Sequence, residues 1–276
     1  MRRALRLSLL TVPCSLFTSC SVTPLTNKIQ VGEEAFVVAV GEGSDGMTDL
    51  YAAPAGGGAF SRLTFNRPAE AAPRLSAAGT RLVYLRSSPV ETADPEPQVV
   101  VLDLRTGAER GFRMPRTSGA SRAVAWLPGD SAVAVRTDSG LFLLVPARGD
   151  PAPRLHGADS ARADSALGVP LGAPVAAMVV SCAAVEVAGR SVAPAGGGLC
   201  VRTAGDEIAP LDSLGRDPVR WGADSVGYFT RAGFEVRPLA GGRSRRPEWS
   251  GAPARLRQLS YAAAPAAAAR EAPRPR

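Results

Sequence analysis

The chain has few of the side chains on which catalytic and metal sites usually depend. Its 276 residues include a single histidine, His156, and aromatic residues make up only 5% of the chain. His156 lies in a stretch rich in Ala, Asp and Ser with no motif around it, so we interpret it as a surface loop residue. No Gly-x-Ser-x-Gly motif is present, which excludes the nucleophile elbow of an α/β-hydrolase. We therefore predict a protein that is not an enzyme and needs no cofactor.

Recognisable metal motifs are equally scarce. Asp45 and Asp49 flank Gly46 and offer carboxylate oxygens of the kind that calcium prefers. The regular alternation and the terminal glutamate of an EF-hand loop are missing, however. We interpret this segment as an ordinary turn and predict no metal site.

Lysine is almost absent, because Lys28 is the only one among 32 basic residues. The formal net charge is +7, but Arg2, Arg3 and Arg6 belong to an N-terminal segment that export would remove. Without these three the chain has 29 basic residues against 25 acidic ones. Such a small excess, in an exported protein, argues against a nucleic-acid partner.

Apolar runs are short throughout, including the one at the N-terminus. Three early arginines precede an apolar stretch at residues 4–17, which is the order found in a secretory signal. The stretch is too short to span a membrane as a helix, and Pro13 interrupts it. Its end, Leu16-Phe17-Thr18-Ser19-Cys20, resembles the lipobox of bacterial lipoproteins.

The lipobox resemblance implies that residues 1–19 are a lipoprotein signal peptide and that Cys20 carries the lipid. Two or more acyl chains provide the stable attachment that one chain does not. It also implies a place in the bacterial envelope facing the periplasm, with the outer membrane favoured over the inner one. Residues 20–32 would then tether the lipid to the domain. The alternative is an ordinary signal peptide that is cut nearby.

Two cysteines remain in the body of the chain, Cys182 and Cys200. They flank two strand-like runs, and an exported protein meets an oxidising compartment, so they could form a disulfide between neighbouring strands. The alternative is a pair of buried thiols, because free cysteine behaves as a small apolar residue.

Alternating strand and turn signals, in contrast, continue along the whole chain. One segment holds Asp-Leu-Tyr at 49–51, Arg-Leu-Thr at 62–64 and Pro-Arg-Leu-Ser-Ala-Ala-Gly at 73–79, followed by an apolar strand. This order resembles one repeat of the TolB-type β-propeller. The resemblance implies an all-β propeller of four-stranded blades that serves as a rigid scaffold for protein partners in the envelope.

The turn of this repeat recurs at a regular period. Leu75, Trp126 and Trp221 occupy its anchor position, with separations of 51 and 95 residues, and the second separation is close to two periods. Trp249 lies in a similar Pro-x-Trp-Ser sequence, but it follows Trp221 by only 28 residues, which is too few for another blade to begin there. A four-stranded sheet buries its faces only against neighbouring sheets, so a steady period is typical of a propeller. We interpret all four positions as structural anchors and predict that the three tryptophans pack between blades; the alternative is that the tryptophans form a stacking platform for a ligand.

The repeats predict a propeller of about five four-stranded blades over residues 33–262. The first repeat lacks its own innermost strand, and residues 254–261 could supply it, so that N- and C-terminal strands close the ring. The alternative is an incomplete ring of six blades. The fourth repeat would include an apolar strand at 176–180. Residues 263–276 are low-complexity Ala, Pro and Arg and are predicted to be disordered.

The TolB-type resemblance implies a non-enzymatic scaffold with a protein partner in the envelope, whose identity the sequence does not reveal. Two alternatives stay open: an enzyme or binding protein for a glycan or small ligand in the central funnel, and a structural lipoprotein without a ligand. An arginine-rich run could face anionic lipid or glycan, or could be an ordinary solvated surface. Its members are Arg237, Arg243, Arg245, Arg246, Arg255 and Arg257.

Overall fold

The structure is a computed structural model that describes residues 25, 28–43, 46–65, 68–87, 98–148, 151–154, 167, 185–195, 198–203 and 207–265. Cys20, His156 and Cys182 lie outside these ranges, as do the strand predicted at 176–180 and the tail from residue 266. Among the described residues, no helix is long and apolar enough to cross a membrane.

The regular secondary structure of the described residues is almost exclusively β-strand, as the alternation of short apolar runs and glycine turns predicts. One short 3-10 helix, Arg116–Ser118, interrupts them. In chain order the strands are β1 Phe36–Glu42, β2 Thr48–Pro54, β3 Gly57–Ala59, β4 Ser61–Arg62, β5 Ala69–Leu75, β6 Arg81–Ser87, β7 Gln98–Asp103, β8 Glu109–Phe112, β9 Ser121–Trp126, β10 Val133–Thr137, β11 Gly140–Leu144, β12 Pro151–Arg154, β13 Val185–Val187, β14 Arg190–Ala195, β15 Gly198–Arg202, β16 Ile208–Asp212, β17 Arg216–Trp221, β18 Ser225–Thr230, β19 Gly233–Pro238, β20 Glu248–Ser250 and β21 Arg255–Ala262.

These strands build the five blades of a β-propeller, which confirms the predicted fold. Within the described ranges four blades have four strands each, and neighbouring strands in every blade are antiparallel. From the innermost strand outwards, blade 1 is β21-β1-β2-β4, blade 2 is β5-β6-β7-β8, blade 3 is β9-β10-β11-β12, blade 4 is β13-β14-β15-β16 and blade 5 is β17-β18-β19.

The C-terminal strand closes the ring, as predicted. β21 pairs antiparallel with β1, with Ala262 opposite Phe36 and Arg255 opposite Glu42. Blade 1 therefore takes its innermost strand from the end of the chain and its other strands from the beginning. Such closure removes a free sheet edge that would otherwise be open to unwanted pairing.

The fourth strand of blade 5 is reduced to a single bridge. Arg245 exchanges two backbone hydrogen bonds with Val236 of β19, with N–O distances of 2.8 and 2.9 Å. Pro247 follows two residues later and has no N–H to extend the ladder. The chain then leaves blade 5, and β20 pairs in parallel with β3 beside blade 1.

Apolar side chains fill the gaps between neighbouring blades. The gap between blades 1 and 2 is filled by fully buried residues that include Phe36, Leu50, Leu82 and Tyr84. Separate apolar clusters lie between blades 2 and 3, blades 4 and 5, and blades 5 and 1. Packing of blade on blade is therefore the main source of stability in this fold.

The segment before β1 packs into the first of these gaps. Leu25, Ile29 and Val31 are 1%, 2% and 7% exposed and belong to the core between blades 1 and 2. The backbone N–H of Leu25 also donates to the carbonyl of Leu104, at 3.4 Å. The sequence predicts a tether over residues 20–32, whereas Leu25, Ile29 and Val31 within that range are docked on the propeller. The packed domain thus begins before residue 33.

The two faces of the ring follow from the strand directions. β21 and β5 run parallel, because Gln258 contacts Ala72 and Ser260 contacts Leu75. Turns that follow the innermost strands therefore gather on one face, here called the front face, together with the turns that join third to fourth strands. The turns that join second to third strands, and the connections that enter the next blade, gather on the opposite back face. The front face includes turns 76–80, 104–108, 127–132 and 222–224, and the back face includes turns 138–139 and 231–232 and connections 113–120 and 213–215.

Candidate functional site

The back face exposes two large apolar side chains. Phe65 is 53% exposed in the connection from blade 1 to blade 2, and Leu214 is 48% exposed in the connection from blade 4 to blade 5. The only other large apolar side chain exposed to this degree among the described residues is Ile208, on the outer strand of blade 4. Phe65 and Leu214 lie in different connections, between blades 1 and 2 and between blades 4 and 5, and they are the exposed apolar side chains that this face offers to a partner.

Arg62 accompanies Phe65 on this face. Its guanidinium carbon lies 4.9 Å from the centre of the Phe65 ring, and its Nη2 lies 2.6 Å from Asp49 Oδ2. The Arg62 Nε also donates to the carbonyl of Thr64, at 2.9 Å. These contacts hold the guanidinium against the ring while 42% of the Arg62 side chain stays exposed. An arginine stacked on an aromatic ring is a combination enriched at protein interfaces.

Further arginines lie on the back face near the innermost strands. Arg122 forms a two-point ion pair with Asp138, with an Nε–Oδ1 distance of 2.7 Å, and this contact holds the pKa of the Asp138 carboxyl below its usual range. Arg255 and Arg257 both approach the carboxylate of Glu42. One carboxylate shared by two guanidinium groups leaves one positive charge uncompensated at this position.

A buried carboxylate lies behind this surface, between blades 1 and 2. The Glu70 side chain is fully buried, and the Thr64 hydroxyl donates a hydrogen bond to it. Arg86 Nη2 lies 3.3 Å from Glu70 Oε1. Thr48 fixes the Glu70 backbone by donating to its carbonyl and accepting from its N–H, at 3.0 and 3.1 Å.

Arg86 connects Glu70 to a second carboxylate on blade 2. It donates to both oxygens of Glu109, at 2.5 and 3.1 Å, and to the Tyr84 hydroxyl, at 2.5 Å. The Tyr84 hydroxyl in turn donates to Glu109. Arg62 and Arg86 thus form ion pairs with the three carboxylates of the cluster, which are Asp49, Glu70 and Glu109.

The charge of Glu70 depends on its burial and on the excess of carboxylates over arginines in the cluster. Burial raises the pKa of Glu70 to about 7, although the Thr64 hydrogen bond and the Arg86 charge act in the opposite direction. Burial also raises the pKa of Tyr84 above its ordinary value. The cluster can therefore take up a proton near neutral pH, but its members are enclosed by two blades and bind one another. We interpret it as a structural joint that supports the back face.

The innermost strands carry a shared backbone irregularity. Ala72, Asp217 and Gln258 have positive φ values of 52°, 53° and 44°, each at a point where the register of the strand shifts. These β-bulges twist the strands that surround the central channel. Among the described residues, no group of three or more His, Cys, Asp or Glu side chains is placed to hold a metal ion.

The four predicted anchors occupy two kinds of position. Leu75, Trp126 and Trp221 end the innermost strands β5, β9 and β17, whereas Trp249 lies in β20. The Trp126 indole N–H donates to the carbonyl of Arg74 in the neighbouring blade, at 3.0 Å. The recurring turn of the TolB-type repeat predicts the first three positions, and Trp249 repeats only the sequence of the anchor.

An aromatic cluster joins blades 5 and 1. Trp221 is 5% exposed, and its ring centre lies 4.8 Å from that of Tyr261 and 5.3 Å from that of Phe234. The Trp249 indole N–H donates to the carbonyl of Pro54, at 2.9 Å, and its ring lies 5.2 Å from Phe60. Both tryptophans therefore contact residues of blade 1.

Most of the arginine-rich run is engaged in local contacts. Arg237 donates to the carbonyl of Leu211, at 2.6 Å, and Arg246 pairs with Glu235, at 2.6 Å. Arg255 and Arg257 share Glu42 on the back face, as described above, while Arg243 and Arg245 are exposed beside blade 5. The run is thus divided between two blades.

Two residues of the candidate site have no sequence signal of their own. Phe65 directly follows Arg-Leu-Thr at 62–64, and no residue type or spacing around it predicts its exposure. Glu70 follows Ala69 and precedes Ala71, in no recognisable motif. Conversely, Cys20 and Cys182 lie outside the described residues, and Cys200 lies half-buried in β15.

Comparisons with known proteins give structural likenesses only. No protein-family model matches the chain, and no curated protein matches it. Among solved structures, TolB from Acinetobacter baumannii is 13% identical, with a TM-score of 0.42, over 83% of this chain and 67% of that one. A putative TolB from Agrobacterium tumefaciens is also 13% identical, with a TM-score of 0.36, over 78% of this chain and 66% of that one. A chain of a nidogen/laminin complex is 8% identical, with a TM-score of 0.49, over 83% of this chain and 99% of that one. The assignment of a five-bladed propeller rests on the sheet topology described above.

Proposed function

We propose that this protein is a non-enzymatic scaffold of the bacterial envelope, held at a membrane by a lipid on Cys20, which binds a protein partner through its back face. The observation that carries the proposal is the exposure of Phe65 and Leu214 on that face, with Arg62 stacked on the phenylalanine ring. Aromatic side chains and arginines are enriched at protein interfaces, so Phe65 and Arg62 are the strongest part of this surface.

The closed ring supports this function because it is rigid. Interactions between blades 1 and 2 and between blades 5 and 1 fix the back-face loops before any partner arrives. A preformed surface avoids the entropy cost of ordering loops on binding. The charged side chains around Glu70 bind one another between blades 1 and 2, so we assign them a structural role and not a catalytic one.

Capture of a partner from crosslinked cells tests the proposed interface. Tagged protein is crosslinked in the envelope, extracted with detergent and analysed by mass spectrometry. Phe65→Ser and Leu214→Ser should each reduce recovery of a dominant envelope protein at least several-fold. Ile208→Ser is the matched control, because Ile208 is equally apolar and 59% exposed but lies on the outer strand of blade 4. Equal recovery by all three variants would contradict the interface.

The lipid anchor is tested separately. Cys20→Ala should move the protein from the membrane fraction to the soluble fraction, because no acyl chain can then be attached. Cys200→Ala serves as the control for loss of a cysteine and should leave the protein in the membrane fraction. Retention of the Cys20→Ala protein in membranes would show that the anchor proposal is wrong.

A further inference from the structure

We propose that the front face of blades 1 and 2 lies against the membrane surface and that the back face points away from it. This orientation rests on the lipid at Cys20 in the proposed function. It follows from the point at which the N-terminal segment docks. The front face contacts the same bilayer in which the lipid of Cys20 is inserted.

The docking point is well defined. Leu25 is buried between blades 1 and 2 and donates its N–H to the carbonyl of Leu104, which lies in a front-face turn. Arg105 in the same turn donates from Nε to the carbonyl of Val31, at 3.4 Å. Leu25 and Val31 are therefore both fixed at the front face.

The covalent reach of the chain supports this orientation. Five Cα–Cα steps separate Cys20 from Leu25, so a fully extended chain spans about 18 Å at most. A seven-residue strand such as β1 is about 23 Å long, which approximates the distance from one face to the other. The lipid-bearing end therefore cannot pass around the blade to the back face. The front face at blades 1 and 2 must stay close to the bilayer.

The polarity and charge of the exposed side chains near Leu25 are compatible with contact to lipid headgroups. Apart from small alanines, the exposed side chains near the docking point are polar or charged, and two of them are cationic. Cations close to a membrane surface are attracted to anionic headgroups, and polar side chains do not enter the hydrocarbon. The residues concerned are Lys28, Gln30, Glu33, Arg105 and Thr106.

This orientation restricts the partner. The back-face residues Phe65 and Leu214 lie a full blade height beyond the membrane-facing surface. A partner that binds them approaches from the periplasmic side, as a soluble protein or as one attached to another layer of the envelope. A protein confined to the same bilayer would need a periplasmic domain tall enough to pass the whole propeller.

Two cysteine variants provide a matched pair for the test. Ala108 is exposed in a front-face turn, and Ala232 is exposed in a back-face turn. Each donates its backbone N–H to a threonine hydroxyl two residues earlier, Thr106 at 3.2 Å and Thr230 at 3.1 Å. Ala108→Cys and Ala232→Cys thus introduce a thiol into turns of the same kind on opposite faces.

The measurement is energy transfer to the membrane surface. The lipidated protein, lacking Cys182 and Cys200, is labelled with a donor dye and reconstituted into phosphatidylethanolamine–phosphatidylglycerol vesicles that contain an acceptor dye on their headgroups. Transfer should be several-fold more efficient from position 108 than from position 232. If the cysteine-free background does not melt cooperatively, a clickable unnatural amino acid at the same two positions carries the dye in the native background.

A linker variant and a mass measurement distinguish a wrong orientation from a missing lipid anchor. Twenty Gly/Ser residues inserted between Cys20 and Leu25 lengthen the tether, with a root-mean-square span of about 28 Å, and should abolish most of the difference. Equal transfer from both positions with the native linker, or stronger transfer from position 232, would overturn the orientation alone, provided that mass spectrometry finds acyl chains on Cys20. Absence of acyl chains on Cys20 would overturn the anchor in the proposed function and the orientation with it.

Discussion

The side-chain oxygen of Gln258 accepts a hydrogen bond from the backbone N–H of Ala72, at 2.7 Å, across 186 positions of sequence. Gln258 belongs to the closing strand β21 and Ala72 to the innermost strand of blade 2. Ser260 on β21 makes a similar contact by accepting from the N–H of Leu75, at 3.0 Å. The closing strand therefore completes blade 1 through its backbone and binds the open edge of blade 2 through its side chains.

Gln258→Ala should lower the free energy of unfolding by about 1–2 kcal/mol, because it leaves the partly buried N–H of Ala72 without its acceptor. Gln258→Glu keeps a side-chain oxygen of the same reach and should recover most of the loss. Urea denaturation followed by tryptophan fluorescence gives both values. Gln30→Ala, at an exposed glutamine, is the control for loss of a glutamine side chain. Equal stability of the Ala and Glu variants would contradict the role of this hydrogen bond.

Removal of the closing strand should have a much larger effect than removal of the tail. Deletion of residues 254–276 opens blade 1 and exposes the edge of β1, so the melting midpoint should fall sharply or cooperative unfolding should be lost. Deletion of residues 266–276 should leave the melting midpoint unchanged, because low-complexity Ala, Pro and Arg contribute little core. Differential scanning calorimetry compares the two. A similar melting midpoint for both truncated proteins would argue against closure by β21.

The buried carboxylate of Glu70 should make stability depend on pH. Its pKa is about 7 in the folded protein, compared with 4.5 for a solvated glutamate, so the folded state binds this proton more tightly. The stability that Glu70 contributes is complete below pH 4.5 and is lost as the pH rises to 7, by an amount on the order of 3 kcal/mol.

Glu70→Gln isolates this contribution, because glutamine has the same shape and does not titrate. The free energy of unfolding of the wild type, measured by urea denaturation between pH 4.5 and 8, should decline relative to that of Glu70→Gln. Glu33→Gln, at an exposed carboxylate, should follow the wild type. Parallel curves for the wild type and Glu70→Gln would show that the pKa of Glu70 is not raised.

The two tryptophans that end innermost strands should differ in importance. Trp221 is buried in the aromatic cluster between blades 5 and 1, so Trp221→Ala should cost about 3–5 kcal/mol. Trp126 is only half-buried, and Trp126→Ala removes its hydrogen bond to Arg74 and its contact with the Arg81 guanidinium, 4.6 Å from the ring centre. That loss should be about 1–2 kcal/mol. Urea denaturation followed by circular dichroism measures both, and the reverse order would contradict the packing described.

The sequence predicted the propeller and its closure because both depend on a local pattern that repeats. The turn at 73–79 recurs at Trp126 and Trp221, and residues 254–261 offer a strand-like run that replaces the missing strand of the first repeat. A periodic fold imposes the same local requirements several times, so even a degenerate pattern is detectable. The reduced fourth strand of blade 5 was not predicted, because it depends on where Pro247 falls in the ladder.

Features that depend on contacts between distant segments were not predictable in this way. Leu25, Ile29 and Val31 are separated by polar residues and have the composition of a tether, and only the gap between blades 1 and 2 explains their burial. The cluster around Glu70 draws its members from five strands and connections between residues 49 and 109. No spacing within a single strand indicates that Arg86 reaches both Glu70 and Glu109.

Photo-crosslinking from single positions shows directly whether the back face binds a partner protein. A photoreactive amino acid is placed at position 214 on the back face and at position 108 on the front face, and cells are irradiated before extraction. We predict one discrete protein adduct from position 214 that is missing from position 108. The absence of a protein adduct from position 214, or the same adducts from both positions, would contradict the claim.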